Sequence, residues 1–271
     1  MRIGLIGYPV QHSASPRMQN AAFAAVGLTE WTYELWPTPL DALAERLREL
    51  RKNHHIGGCN VTIPHKQNVL GALDVLSDHA RMLGAVNTIV KRDGQLIGHN
   101  TDWLGFLADL RFNGFEPVGG QRALVLGAGG SARGIVYALL KCGLRVHIVN
   151  RDAARAHSLA HDLHPLGTVS AITTMHQAGA IDLIINCTSA GMDPHLDTTP
   201  WPLDLPFPRQ AFLYDLVYKP RQTVLIQQAE AAGARCAGGI GMLAEQGAAA
   251  FELWTGVPAA QVAPVMRAAL G

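Results

Sequence analysis

The six residues Gly127-Ala128-Gly129-Gly130-Ser131-Ala132 constrain this chain more than any other feature. They follow an apolar run over 123–126 and open a stretch of helical spacing that reaches Lys141. In such a turn the first glycine permits a tight reversal, the second lets backbone approach a bound group, and a small residue at the end lets helix pack on strand. The helix start also presents unpaired N–H groups and a partial positive charge, a ready site for phosphate. Gly143 and a further apolar strand over 145–150 complete the strand–turn–helix–strand unit that this fingerprint requires. The pattern G-x-G-x-x-A in that setting predicts a dinucleotide site; outside it, the same residues would be an ordinary α/β turn.

The end of the second strand of such a unit meets the ribose, and an acidic residue there suits an unmodified 2′-hydroxyl. This chain has Asn150-Arg151, with Arg155 one helical turn further on. Two guanidiniums spaced i and i+4 share a helix face and can fork onto a 2′-phosphate, which predicts NADP. Solvated arginines at a helix start are the plainer alternative, though the helix dipole disfavours cations there. Asp152 is an ordinary N-cap and also a carboxylate that would repel a neighbouring phosphate.

The rest of the chain alternates strand-length apolar runs with amphipathic stretches. Strands are expected at 2–7, 31–36, 56–60, 183–186 and 212–217, with helices over 40–50, 77–83, 101–113, 153–163 and 223–232. Ser15 reads as an N-cap ahead of Pro16, and a helix is expected from about His65. Asp93-Gly94 marks a hairpin between 85–92 and 95–98, so the first half carries one antiparallel return. The regular alternation after Arg122 predicts a parallel sheet with helices on both faces. The final stretch, 244–270, reads as two helices broken at 256–258.

A length of 271 residues favours two domains. The formal net charge of +1, with scattered Lys and Arg, argues against a nucleic-acid or anionic-lipid partner and for a small-molecule one. Cys59, Cys142, Cys187 and Cys236 form no C-x-x-C pair, so free thiols in a reducing, cytoplasmic compartment are expected, and no zinc site. The twelve histidines show no metal-ligand spacing, and His54-His55 reads as a surface pair. The apolar start is too short for a signal segment, and no run approaches the ~20 residues needed to span a bilayer.

Three polar clusters stand at predicted strand ends: Gly7 through Pro16, Asn60-Val61-Thr62-Ile63-Pro64-His65-Lys66, and Gly84-Ala85-Val86-Asn87-Thr88 with Asn100-Thr101-Asp102. Their order ahead of the glycine turn resembles the shikimate dehydrogenase family. The resemblance continues through Asn150-Arg151, Asn186-Cys187-Thr188-Ser189-Ala190-Gly191-Met192, Tyr214-Asp215-Leu216-Val217-Tyr218, Gly239-Ile240-Gly241-Met242-Leu243 and Gln246, covering nearly the whole chain. It departs at Gln19, where the family usually has histidine, and at Asp152, where NADP-using members often carry threonine.

The resemblance implies an α/β fold of two domains. Residues 1–102 with 239–271 would form a mixed-sheet substrate domain, to which the C-terminal helices return, and 103–238 a Rossmann-type, doubly wound NADP domain, with the site in the cleft. It implies NADPH-dependent, reversible reduction of 3-dehydroshikimate to shikimate in aromatic amino-acid biosynthesis. Hydride transfer to a carbonyl leaves an alkoxide in need of a proton. The resemblance assigns that role to Lys66, with Asp102 as its orienting carboxylate. As plain sequence, Lys66 could be an exposed helix-start lysine and Asp102 a helix cap. Ser13, Ser15, Asn60, Thr62, Asn87, Tyr218 and Gln246 would line a polyhydroxylated, singly charged substrate, although Asn60 could instead hold its own turn. Thr188, Ser189, Met192, Leu216, Gly239 and Met242 would stand on the nicotinamide side, with Asp78 a weaker candidate. Family members occur as monomers and homodimers. An NAD-preferring quinate/shikimate dehydrogenase and a non-catalytic dinucleotide-sensing module are the alternatives; the second should lack the Lys66–Asp102 pair.

Overall fold

The computed structural model describes all 271 residues. In chain order the first elements are β1 (Arg2–Gly7), α1 (Ser15–Ala25), β2 (Thr32–Pro37), α2 (Leu43–Lys52), β3 (Ile56–Val61), β4 (Val75–Leu76), α3 (Asp78–Leu83), β5 (Thr88–Arg92), β6 (Gln95–His99) and α4 (Asp102–Phe112). They are followed by β7 (Arg122–Leu126), α5 (Gly130–Lys141), β8 (Arg145–Val149), α6 (Ala153–Leu163), β9 (Val169–Ala171), β10 (Leu183–Asn186), β11 (Phe212–Asp215), α7 (Val224–Ala231), β12 (Cys236–Gly238), α8 (Ile240–Thr255) and α9 (Ala259–Leu270). The chain divides into two compact units, Met1–Gly105 with Leu243–Gly271, and Phe106–Met242.

The first unit holds a six-stranded mixed sheet in the order β2-β1-β3-β5-β6-β4. β1 pairs in parallel with β2 and β3, while β3–β5 and β5–β6 are antiparallel. β1 is buried along nearly its whole length, which explains its continuous apolar run. Gly4 admits no side chain, because a Cβ there would stand 2.2 Å from the Trp36 ring on β2. α2 buries Leu43, Leu47 and Leu50, one stripe at helical spacing. Asp93 at φ 51° and Gly94 at φ 78° make the hairpin turn, both in the left-handed region such a reversal needs. This topology gathers the ends of β1, β3 and β6 and the start of β5 on one sheet edge, because Ile6 pairs with Val61, Asn60 with Thr88 and Thr88 with His99.

In the second unit all six strands are parallel, in the order β12-β11-β10-β7-β8-β9. β7 comes first in sequence and lies mid-sheet, with β8 and β9 on one side and β10, β11 and β12 on the other. The winding direction therefore reverses beside β7, the position at which doubly wound sheets bind ligands. Leu124, Leu126, Ile184 and Leu213 of the sheet pack with Leu225, Ile226 and Ala229 of α7 in one core.

Local details differ from expectation at several points. Ser15 is the first residue of α1 rather than its cap; the N-cap is Ala14, which has no side-chain acceptor, and the Ser15 hydroxyl accepts from Ser13. No helix starts at His65. The Lys66 carbonyl accepts from the Val86 N–H instead of from a residue one turn ahead, so the segment stays a series of turns ending in a single 3-10 turn at Leu70–Ala72. β11 stops at Asp215, where the Val217 N–H turns back to the Asp215 side chain. β4, β9 and β12 are short edge or near-edge strands, two or three residues long, and carry too few residues to show a period. No helix is long and apolar enough to cross a membrane.

Candidate active site

In the first unit, the converging strand ends build one continuous polar network. Lys66, in the turns after β3, donates from Nζ to Asp102 Oδ2 at 2.7 Å. Asp102 begins α4, and Asn87, just before β5, donates from Nδ2 to its other oxygen at 2.8 Å. The Asn87 amide also reaches Thr101 Oγ1 at 3.0 Å and Gln246 Oε1 on α8 at 3.3 Å, while its Oδ1 accepts from the Thr101 N–H and the Thr88 hydroxyl. Asn60 Nδ2 donates to Thr88 Oγ1 at 3.0 Å, and its Oδ1 accepts from the Tyr33 hydroxyl at 2.8 Å. Tyr33 also meets the Ser15 side chain, and Ser13 Oγ donates to Ser15 Oγ at 3.1 Å. The chain of contacts thus runs from Ser13 to Lys66 without a break.

Burial decides which members can face a ligand. Lys66 and Asp102 keep 31% and 21% of their side chains exposed, so the pair is sheltered yet accessible. Asn87 is 2% exposed and Asn60 6%, and both are bonded internally. Asn60 therefore holds the β3, β5 and β2 ends together, the second of the two roles open to it. Thr62 is half-buried against Gly7, where a Cβ would stand 2.4 Å from its methyl group. Gln246 packs on Gly105 of α4, since a Cβ there would stand 2.6 Å from its backbone nitrogen. Tyr33 gave no signal in sequence, being an isolated aromatic residue 27 positions from Asn60. Burial pushes its hydroxyl far up, so it stays a neutral donor.

In the second unit, a cavity of about 1020 Å³ opens at the carboxyl ends of β7, β8 and β10. Gly127, Ala128, Gly129, Asn150, Arg151, Arg155, Thr188 and Ser189 line it, as expected for one dinucleotide site. Gly127 sits at φ 108°, in the region that favours glycine, and a Cβ on it would stand 3.2 Å from the Thr188 methyl carbon. Gly129 and Gly130 have no atom within 4 Å of a would-be Cβ, so backbone is open to a ligand there. The N-cap Gly129 makes no side-chain bond, which leaves the first N–H groups of α5 available to phosphate. Ala132 is fully buried and allows α5 to lie close on the sheet, while Ser131 is exposed at the helix start. This donor set fits a pyrophosphate flanked by a basic ribose end.

The Asp152 carboxylate is engaged at the start of α6. It caps α6, accepting from the Ala154 and Arg155 N–H groups at 3.1 and 3.4 Å, and pairs with Arg155 Nε at 3.4 Å. Asn150 Nδ2 donates to the Asp152 carbonyl, which shapes the turn between β8 and α6. His195, Thr198, Thr199, Thr173 and Met175 also line the cavity, on loops that carry no motif in the sequence, and Cys187 lines it beside Thr188. Burial, with the Asp215 carboxylate nearby, pushes the Cys187 thiol well up, so it is not a thiolate. Leu216 lies at the end of β11, and Gly239 packs on its carbonyl oxygen, 2.5 Å from a would-be Cβ. Met242 is half-buried on α8, and Met192 and Tyr218 are 46% and 41% exposed. Asp78 heads α3 with a fully exposed carboxylate beside Arg81, and is placed in the other unit from the glycine turn.

Comparison with known proteins bears directly on this pair of sites. Residues 5–89 match the shikimate dehydrogenase substrate binding domain, 109–195 the shikimate / quinate 5-dehydrogenase model, and 239–270 the shikimate 5'-dehydrogenase C-terminal domain. The shikimate dehydrogenase (NADP(+)) of Moorella thermoacetica is 43% identical over 99% of this chain and 93% of its own length. The chain belongs to the shikimate dehydrogenase family. Another shikimate dehydrogenase (NADP(+)), from Geobacillus kaustophilus, is 42% identical over 93% of this chain and 92% of its own. Among solved structures, the shikimate 5-dehydrogenase of Thermus thermophilus, in complex with NADP(H) and shikimate, superposes with a TM-score of 0.89 at 39% identity, covering 99% of both chains.

Proposed function

We propose that this chain catalyses the NADPH-dependent, reversible reduction of 3-dehydroshikimate to shikimate. The observation that carries the reading is the Lys66–Asp102 pair, 2.7 Å apart and half-sheltered, set in a lining of hydroxyl and amide groups. NADPH, when bound, supplies the hydride to the substrate carbonyl carbon. The carbonyl oxygen then needs a proton, and the Lys66 ammonium donates it; in the reverse direction neutral Lys66 takes the proton from the shikimate hydroxyl. Asp102 holds the Lys66 amine in place and keeps acceptor capacity for a substrate hydroxyl. Ser13, Ser15, Thr62, Asn87, Tyr218 and Gln246 supply neutral donors for the remaining hydroxyls and the carboxylate, with Asn60 supporting them.

On the cofactor side, the N–H groups from Gly129 to Ser131 would hold the pyrophosphate, and Arg151 with Arg155 the 2′-phosphate. Thr188, Ser189, Met192, Leu216, Gly239 and Met242 would serve the nicotinamide side. The NAD-preferring quinate/shikimate alternative rested on Asp152, whose carboxylate caps α6 and pairs with Arg155. Four free cysteines suit a reducing compartment such as the cytoplasm, where the chain would act as a monomer or homodimer. Steady-state kinetics test the assignment, with NADPH against NADH and 3-dehydroshikimate against 3-dehydroquinate. The expected result is the highest kcat/KM for NADPH with 3-dehydroshikimate; a clear preference for NADH or for the quinate pair would overturn it.

A further inference from the structure

One charged group buried in the second unit has no part in proton transfer. Asp215, at the end of β11, is fully buried, and three donors converge on its carboxylate. Asn186 Nδ2 donates to Oδ1 at 2.8 Å, the Val217 N–H to the same oxygen at 3.0 Å, and the Thr223 hydroxyl to Oδ2 at 2.7 Å. Burial raises its carboxyl above the usual range, and these three donors oppose that rise. The Asn186 amide, fixed by Asp215, offers its own oxygen to the Thr188 N–H at 2.9 Å and the Thr188 hydroxyl at 2.7 Å. Thr188 Oγ1 in turn accepts from the Ala190 N–H, and its methyl group lies against Gly127, the first glycine of the turn. Thr223 meanwhile caps α7 and packs on Gly191, where a Cβ would stand 3.1 Å from Thr223 Cβ.

We propose that Asp215 is a positioning residue for dinucleotide binding: through Asn186 it sets Thr188, and so the cavity wall that faces the glycine turn. The proposal rests on the reading that a dinucleotide occupies this cavity. A carboxylate suits the place because all three neighbours are donors. An asparagine there must turn its amide either toward Thr223, whose hydroxyl proton then loses its acceptor, or toward the Asn186 amide and the Val217 N–H, donor against donor. The first orientation leaves Asn186 held by a neutral oxygen in place of a charged one, and the second removes that bond, so either weakens the hold on Asn186.

The test is a double-mutant cycle read by NADP+ binding, using Asp215→Asn, Thr188→Val and the pair. Thr188→Val keeps the methyl group against Gly127 and removes only the hydroxyl. Asp215→Asn should weaken NADP+ binding by about tenfold, the scale of one charge-assisted hydrogen bond. The double variant should be no weaker than Asp215→Asn alone, since both act on one contact chain. The KM for NADPH should rise more than kcat falls. Affinities that are unchanged in Asp215→Asn, or losses that add fully in the pair, would overturn the proposal. Should Asp215→Asn not fold, Thr223→Val replaces it in the same cycle with the same two outcomes. Failure of the unaltered protein to bind NADP+ would instead sink the reading of the cavity itself, and the proposal with it.

Discussion

In the proposed reaction Lys66 acts as acid and base only if its amine is held where a substrate oxygen can reach it. Asp102 does the holding at 2.7 Å, and Asn87 in turn fixes Asp102 through its second oxygen. Lys66→Met keeps the length of the stem and deletes the proton. We expect kcat to fall about 10²- to 10⁴-fold with KM much less changed, the usual reach of general acid–base catalysis. Steady-state assays on purified variant and parent check this, and an unchanged kcat would place the proton elsewhere. Chemistry and motif together made Lys66 and Asp102 legible in the sequence. The division of labour around them was not. Asn87 was expected as a substrate donor, yet at 2% exposure its amide already serves Asp102, Thr101 and Gln246, so it orients as well as lines. The bonds of Tyr33 to Asn60 and of Asp215 to Asn186 were not legible in the sequence, because a hydrogen bond between distant strands leaves no local pattern.

Between elements, one ion pair couples the edge of the first sheet. Arg2 on β1 forks onto Glu34 on β2, with Nη2 to Oε2 at 2.6 Å and Nε to Oε1 at 2.9 Å. The Arg2 hydrogen bond is the main cause that lowers the Glu34 carboxyl to about 2, with Trp36 and Thr32 adding to it. A lowered folded value means that the pair's contribution is complete above the unfolded carboxyl's ordinary ~4.3 and disappears as pH falls through about 2. Since both side chains are partly exposed, the contribution is of the order of 0.2–1 kcal/mol. Thermal unfolding of Glu34→Gln should therefore show a lower midpoint than the parent at pH 7, and the gap should close near pH 2. A gap that persists in acid would show that packing, not charge, was lost. Strands and helices with a strong period were placed correctly from sequence; the helix expected at His65 failed because a tertiary bond, Val86 N–H to the Lys66 carbonyl, ends it.

Across the whole molecule, binding should report as stability. A ligand that binds only the folded chain stabilises it by RT ln(1 + [L]/Kd), about 2.7 kcal/mol at a hundred times Kd. Saturating NADP+ should raise the unfolding midpoint seen by calorimetry, and NAD+ at the same concentration should raise it less. Equal shifts would mean that Arg151 and Arg155 do not read the 2′-phosphate. Sequence by itself determined the kind of fold, the glycine turn and the basic pair after β8, because each depends on side chains close together in the chain or on a strong period, while Lys66 and Asp102 were singled out by the resemblance to a known family. Only tertiary structure decided the sheet orders, the turn of Asp152 toward its own helix, the internal use of Asn60 and the Asp215–Asn186–Thr188 relay. Those depend on which strand ends lie side by side, and strand order is settled by packing over the whole chain rather than by any local run of residues.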